Sequence, residues 1–425
     1  MAEAMLPPAI LTIFGITGDL SKRKLLPSVY YLAEDNRLPT NFKIVGITRR
    51  GMTVAEVIDA IRTSVHQQGR TCRSATLKKL EKRIIIVKMD LTSAPQYAKL
   101  KNQLDEIEAE QSVCLNRMFY LAMPSQVFIP VVHLLGEAGL NNGCVHGKAE
   151  SRLLIEKPLG YDLNSATELI NTISISFNEE QLYLIDHYLA KAAVQDLLAF
   201  RLSNTEFEPV WNRNHIKQIV ITADESIGIE GRVIFYEQMG ALRDVIQSHL
   251  FQLLSLVTMD LPKTASAGAI HAAKLKLLNS VEEPKISLRG QYQGYREEVD
   301  NADSTVETFA ALKLFINSRK WQGVPIVLRT GKKLAVKSTE VRIVFKDKTK
   351  VLDLRTRVNQ KDDYEQVIAG ALLGDKALFV SRDEALSSWR IIEPVLRAWA
   401  DNDTELKIYK AGSTGPSAYN KLIKL

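Results

Sequence analysis

Residues 10–26 read ILTIFGITGDLSKRKLL. The apolar run Ile10 to Phe14 meets two glycines, Gly15 and Gly18, and then a helix-patterned segment from Ser21 to Glu34. A strand that turns through glycine into a helix lets backbone N–H groups and the positive helix end approach a pyrophosphate with no Cβ in the way. The spacing is G-x-x-G and not the dinucleotide G-x-G-x-x-G, so taken alone the turn reads either as a nucleotide loop or as an ordinary strand-to-helix connection.

The flanking sequence decides the fold. Further β-rich runs follow, KIVGI (43–47), IIIVK (84–88), MFYLAM (118–123) and RLLIEKP (152–158), separated by helix-patterned segments such as Val54 to Gln67. This alternation predicts an α/β, doubly wound Rossmann-like domain over residues 1–182, with its ligand at the carboxyl ends of parallel strands. Beyond residue 182 the pattern changes. A helix from Tyr188 to Leu202, the run HIKQIVITAD, a long helix from Leu242 to Val257, and then VPIVLRTG, STEVRIVFK and TKVLDLRTR predict an α+β domain over 183–425, its large sheet mainly antiparallel with short connections. No repeat, low-complexity segment or Pro/Gly-rich linker separates the two.

At 425 residues the chain exceeds one ordinary core, and 46% apolar with 24% charged residues is a soluble globular composition. The formal charge of +6 is spread along the chain without Lys/Arg blocks interleaved with aromatics, which points to small anions and away from nucleic acid. Cys72, Cys114 and Cys144 are odd in number, widely spaced and lack a C-x-x-C pair, so neither a disulfide framework nor a zinc site is expected, and a reducing cytosol fits. No leader pattern and no long apolar span is present, so neither secretion nor a membrane is expected.

Several polar groups interrupt apolar patterns. LIDHYLAK (184–191) sets Asp186, His187, Tyr188 and Lys191 after a strand-like run. With a helix beginning at Tyr188, His187 and Lys191 would share a face and clamp a phosphate, while Asp186 at the helix entrance points elsewhere. RLLIEKPLG puts Glu156, Lys157 and Pro158 at the ligand edge of the sheet, and VPIVLRTGKKLAVK gathers Lys332, Lys333 and Lys337 around a glycine turn. His249 stands in the mostly apolar GALRDVIQSHLFQLLSLV, a setting that also suits a satisfied core histidine. Asp244 precedes it by five residues, about 140° around an ideal α-helix, so both face one pocket only if Asp244 belongs to the helix entrance. Arg49 and Arg50 follow the second strand, where an NAD enzyme carries an acid for the ribose; a cation there favours a 2′-phosphate.

The segments GITGDLSKRKLLP, IEKPLG, IDHYLAK, WNR, ESIGIEGR, RDVIQSHLFQ, VPIVLRTGKKL, DDYEQVI, GDKALFVSRDEALSSWRI and GSTGP occur in this order. Together they resemble the glucose-6-phosphate dehydrogenase family over nearly the whole chain. The resemblance implies hydride transfer from C1 of β-D-glucose 6-phosphate to NADP, with NAD as the alternative, giving 6-phosphogluconolactone in the first oxidative step of the pentose phosphate pathway. It implies His249 as general base, oriented by Asp186. His187, Tyr188 and Lys191 would hold the phosphate, helped by Lys332 and Lys337, and Lys157, Glu225 and Asp244 the sugar hydroxyls. Gly15, Thr17, Gly18, Asp19, Leu20 and Arg49 would line the cofactor site, with Lys157 beside them. No metal is implied, and the assembly would be a cytoplasmic homodimer or homotetramer. Such a base must be a neutral imidazole that accepts the hydroxyl proton as hydride leaves, an effect typically worth ~10²–10⁴ in rate.

The chain departs from the family pattern at Ala190 (usually Gly), Ala192 (usually Glu), Ser248 (usually Asn) and Ser125 (commonly Pro). It is also short between Lys350 and Tyr364, a region the family uses for further strands and subunit contacts. Two other readings are another NADP-linked sugar dehydrogenase and a catalytically silent NADP-binding subunit. The first would not need the cationic clamp, and the second is disfavoured because the base and clamp residues are all present.

Overall fold

The computed structural model describes residues 6–144, 149–347, 349–353, 362–401 and 403–423. Contacts group the chain into two compact units. One comprises Met1–Leu159, Thr167–Ala190 and Lys361–Arg382; the other comprises Gly160–Ala166, Lys191–Gln360 and Asp383–Leu425. This grouping differs from a single boundary after residue 182, because the chain returns to the first unit over 361–382 before the second unit is complete.

The first unit contains β1 (Ala9–Phe14), β2 (Lys43–Thr48), β3 (Ile84–Lys88), β4 (Asn116–Leu121), β5 (Ser151–Glu156) and β6 (Leu182–Ile185). They hydrogen-bond in the order β3-β2-β1-β4-β5-β6, all parallel, and Phe379–Val380 closes the edge antiparallel to β6. This is the doubly wound order, with its switch point between β1 and β4. Every residue of β1 is buried, as expected of a strand covered on both faces, which is why these runs are continuously apolar and not alternating. Local signals agree: Val54–Gln67 opens with a capping box in which the Thr53 hydroxyl accepts from the Glu56 N–H and the Glu56 carboxylate accepts from the Thr53 N–H.

One expectation fails in this unit. Cys114 and Cys144 form a disulfide with their Cα atoms 5.6 Å apart, leaving Cys72 as a free thiol. The two lie 30 residues apart in sequence. The segments that carry them lead into β4 and β5, however, and these strands are neighbours in the sheet. Spacing along the chain could not reveal that proximity.

The second unit contains β7 (Ile216–Asp224), β8 (Ile286–Tyr292), β9 (Phe309–Leu314), β10 (Ile326–Gly331), β11 (Ser338–Phe345) and β12 (Thr349–Asp353), with Leu406–Tyr409 beyond β8. The order is β12-β11-β7-β10-β9-β8, mainly antiparallel, with β10 parallel to β7 and Leu406–Tyr409 parallel to β8. The consecutive runs VPIVLRTG and STEVRIVFK are therefore not paired with each other as a short connection would suggest. β7 lies between them, parallel to β10 and antiparallel to β11 from Ser338 to Phe345. The helix expected over 242–257 is present as a π-helix, Leu242–Leu250, continuing as an α-helix, Phe251–Thr258. The π-helix packs against β7, β9 and β10.

The shortened stretch between Lys350 and Tyr364 falls largely on residues 354–361, which lie outside the described residues, as does the subunit contact expected there. Among the described residues no helix is long and apolar enough to cross a membrane, and no group of three or more His, Cys, Asp and Glu side chains could hold a metal ion.

The second unit also holds a buried ionic group. Glu384, near the start of helix Arg382–Ala400, takes Lys274 at 2.7 Å and the His271 Nδ1 at 2.6 Å from helix Ala267–Leu278, and the Lys274 and Glu384 side chains are both fully buried. Removing one partner leaves an uncompensated charge in a low-dielectric core, so Glu384→Gln is expected to lower the stability by about 3–5 kcal/mol in urea unfolding. The paired replacement Lys274→Met with Glu384→Met should cost far less; an equal cost would mean that packing, and not charge, sets the effect.

Candidate active site

In the first unit the candidate residues stand at the carboxyl edge of the parallel sheet. Gly15 follows β1, Arg49 follows β2, Lys157 follows β5 and Asp186 follows β6. Gly15 has φ +88, and a Cβ there would sit 2.5 Å from the Ala122 carbonyl oxygen; a Cβ on Gly18 would sit 3.1 Å from the Gly15 carbonyl oxygen. The Gly18 N–H donates to that same oxygen at 2.9 Å, and the Ser21 hydroxyl does so at 2.9 Å. The turn around the Gly15 carbonyl thus requires glycine at 15 and leaves little room for a side chain at 18. Thr17 lies in this turn, and Asp19 and Leu20 open the helix that follows. Asp19 is exposed and pairs with Arg23 one helical turn on, at 3.4 Å. This close-packed glycine turn at the switch point fits a dinucleotide phosphate. Arg49 is exposed at the end of β2, so no acid occupies the place where one would receive a ribose 2′-hydroxyl.

At the end of β5, Glu156 is enclosed. The Tyr120 hydroxyl donates to it at 2.5 Å and Tyr364 is hydrogen-bonded to it as well. Burial pushes the Glu156 carboxyl up to about 7, opposed by these two phenols and by Lys157. Tyr364 also stacks on the His187 ring, centroids 6.0 Å apart and planes 18° from parallel. The phenol thus links the strand end that presents Lys157 to the imidazole that follows β6. Its segment, DDYEQVI, was recognisable in the sequence, but nothing in it signals a contact with residue 187. Only the return of 361–382 to this unit makes one.

The segment after β6 is not the predicted helix. Residues 187–190 form turns, and the α-helix begins at Ala192, with Lys191 as its extended N-cap at φ −63, ψ 130. The Asp186 carboxylate accepts from the Tyr188 N–H at 3.0 Å, and the Asp186 carbonyl accepts from the Leu189 N–H at 3.0 Å. Asp side chains compete in this way with helical bonding and favour turns. His187 and Lys191 therefore do not share a helix face. His187 meets the Tyr188 ring edge-on at 5.3 Å and lies flat on Tyr364.

In the second unit Glu225, Lys332 and Asp244 come together. Lys332 pairs with Glu225, its ammonium lies 4.0 Å from the Asp244 carboxylate, and it sits 5.5 Å above the Tyr236 ring. An ammonium shared by two carboxylates over an aromatic face can be buried at tolerable cost, which explains how Lys332 is only 3% exposed. Backbone bonds fix the set: the Glu225 N–H donates to the Gly331 carbonyl at 2.9 Å, and the Lys332 N–H to the Thr308 carbonyl at 2.8 Å. Tyr236 had no sequence signal, since a tyrosine in an apolar helix reads as core. Lys333 is turned away to Glu298 at 2.7 Å and to the Tyr292 ring, and Lys337 is exposed just before β11. The three lysines of the glycine turn therefore do not form one anion site.

Asp244 lies in the first turn of the π-helix and His249 in its last, and both are buried, at 8% and 3% exposure. The α-helical estimate of about 140° between them does not apply. A π-helix bonds residue i to i+5, so side chains five apart lie about one turn from each other and can face the same way.

Residues 12–196 match the model of the glucose-6-phosphate dehydrogenase NAD binding domain, and residues 198–358 and 349–425 match that of the C-terminal domain. Glucose-6-phosphate 1-dehydrogenase of Chlamydia pneumoniae is 34% identical, the match covering 98% of this chain and 95% of the relative. The enzyme of Bacillus subtilis is 32% identical over 98% of this chain and 97% of its own length. A solved glucose-6-phosphate dehydrogenase in complex with glucose-6-phosphate superposes with a TM-score of 0.90 at 30% identity, covering 100% of this chain and 98% of that one. A myo-inositol 2-dehydrogenase from Lactobacillus plantarum, 12% identical with a TM-score of 0.53, shares the fold alone over 95% of this chain and 100% of its own. The chain therefore belongs to the glucose-6-phosphate dehydrogenase family, oxidoreductases that take glucose 6-phosphate with a nicotinamide dinucleotide.

Proposed function

We propose that this chain oxidises C1 of β-D-glucose 6-phosphate to 6-phosphogluconolactone, with NADP preferred over NAD and His249 as the general base. The observation that supports the role of His249 is the π-helix, in which a buried imidazole follows the buried Asp244 by five residues, a spacing that lets both face the same way. When bound, the nicotinamide supplies the hydride acceptor. The protein's task is then to remove the C1 hydroxyl proton and to hold the sugar still.

His249 takes that proton, and Asp186 has the orienting role that family resemblance implies, a carboxylate that holds the tautomer of such a base. Glu225 and Asp244 accept from sugar hydroxyls and Lys157 donates to them. Lys332, compensated by both carboxylates, keeps that pair aimed, so the phosphate falls chiefly to His187, Tyr188 and Lys191, with exposed Lys337 as an additional cation. Binding the non-reacting phosphate positions C1 for the chemistry. Gly15, Thr17, Gly18, Asp19 and Leu20 hold the dinucleotide phosphates and Arg49 the 2′-phosphate, a reading supported by the glycine turn and by the cation that ends β2. A cytoplasmic homodimer or homotetramer completes the proposal and rests on family resemblance.

Turnover with glucose 6-phosphate and none with free glucose is expected in a steady-state assay; the reverse would favour a free-sugar dehydrogenase. His249→Asn should lower kcat by roughly 10² or more with a modest change in KM, and an unchanged kcat would remove the base role. Arg49→Ala should weaken NADP far more than NAD in paired titrations; equal weakening would mean that Arg49 meets a group common to both.

A further inference from the structure

We infer that Glu307 is a positioning residue for the catalytic helix, an inference that rests on the proposed role of His249. The helix bearing Asp244 and His249 does not simply continue from Val233–Ala241. It breaks at Gly240, φ 61 and ψ −178, a conformation essentially confined to glycine, and restarts. At the restart the Ala241 N–H donates to the Glu307 carbonyl at 3.0 Å and the Leu242 N–H donates to the Glu307 carboxylate at 2.9 Å. These are donors a helix start leaves without intrahelical partners, and a carboxylate there also meets the positive end of the helix. The approach is close enough that a Cβ on Gly240 would stand 2.7 Å from the Glu307 carboxyl carbon.

Glu307 is 6% exposed. Burial raises its carboxyl above the usual range, opposed by the Leu242 N–H and by the charges of Arg243 and Arg289. A buried helix start could be capped by a neutral Ser, Thr or Asn of its own chain segment. A carboxylate reaching across from the head of β9 does something more, because it ties the helix to the sheet. The adjacent residue extends the tie: the Thr308 carbonyl accepts from the Lys332 N–H at 2.8 Å, and the Thr308 hydroxyl accepts from the Tyr292 N–H at 2.9 Å. One dipeptide thereby sets both the start of the helix, two residues before Asp244, and the backbone of Lys332. A misplacement of about 1 Å in such a support can cost ~10²-fold in rate.

The test is steady-state kinetics of Glu307→Ala and Glu307→Gln, each alone and combined with His249→Asn. Glutamine keeps an acceptor for the Leu242 N–H and alanine removes it. Glu307→Ala is expected to lower kcat about 10-fold with the KM for the dinucleotide within about 2-fold, and Glu307→Gln to stay within about 3-fold of the parent. In the His249→Asn background the alanine change should lower the residual kcat less than about 2-fold, because both act on one imidazole. Full kcat in Glu307→Ala, an equal loss in Glu307→Gln, or an undiminished loss without His249 would each overturn the inference while leaving the base role standing. Unchanged kcat in His249→Asn alone would instead remove the base role and this inference with it. If the alanine variant does not fold, Glu307→Asp, one methylene shorter, is read by the same criteria.

Discussion

Parallel pairing of β1 with β2 on one side and β4 on the other is the constraint on which the first unit depends. Parallel neighbours require crossovers, and crossovers of one hand bring every strand back in the same direction. The carboxyl ends then share one edge, with strands about 4.8 Å apart. Residues as distant in sequence as Gly15, Arg49, Lys157 and Asp186 become occupants of a single ledge for this reason alone. Tyr364, in the segment that returns to this unit, braces that ledge between Glu156 and His187.

The second unit solves a different problem, that of keeping charge inside a fold. Lys332 is nearly inaccessible, and so is the Glu384 carboxylate with Lys274. Each is tolerated because opposite charge stands beside it, and at Lys332 backbone bonds of Glu225 and Lys332 hold the set, which lowers the entropy cost of forming the pair. The two clusters differ in what surrounds them. Glu384 lies between helices of the core, whereas Lys332 stands at the end of β10 among carboxylates that hydroxyl groups could address.

Much of the fold was legible because it is local. Continuous apolar runs separated by helix periods specify buried parallel strands, and the glycine turn after Phe14 is demanded by backbone space that a Cβ would fill. The candidate site was legible as a set of residues through motifs, but its geometry was not. The angle between Asp244 and His249 was taken from an α-helix, although Asp244 does stand at the helix entrance, and His187 and Lys191 were placed on a helix that does not start until Ala192. The first error comes from a π-helix, whose extra residue per bonded ring leaves no compositional trace. The second lies at Asp186, whose carboxylate accepts from the Tyr188 N–H in a turn that serves as well after a strand as before a helix.

By itself the sequence determined the class of each unit, the order of the strands along the chain and the identity of the groups able to do acid–base and anion chemistry. Those depend on side-chain type and on spacings of a few residues, where the chain is its own ruler. The tertiary structure alone decided that Cys114 meets Cys144, that β7 separates β10 from β11, that Lys333 faces Glu298 and not the Lys332 cluster, and that Glu307 holds the head of the His249 helix. Each is a contact between segments far apart in sequence. Such contacts follow from which faces are buried together, and burial is a property of the whole packed fold, not of any window of residues within it.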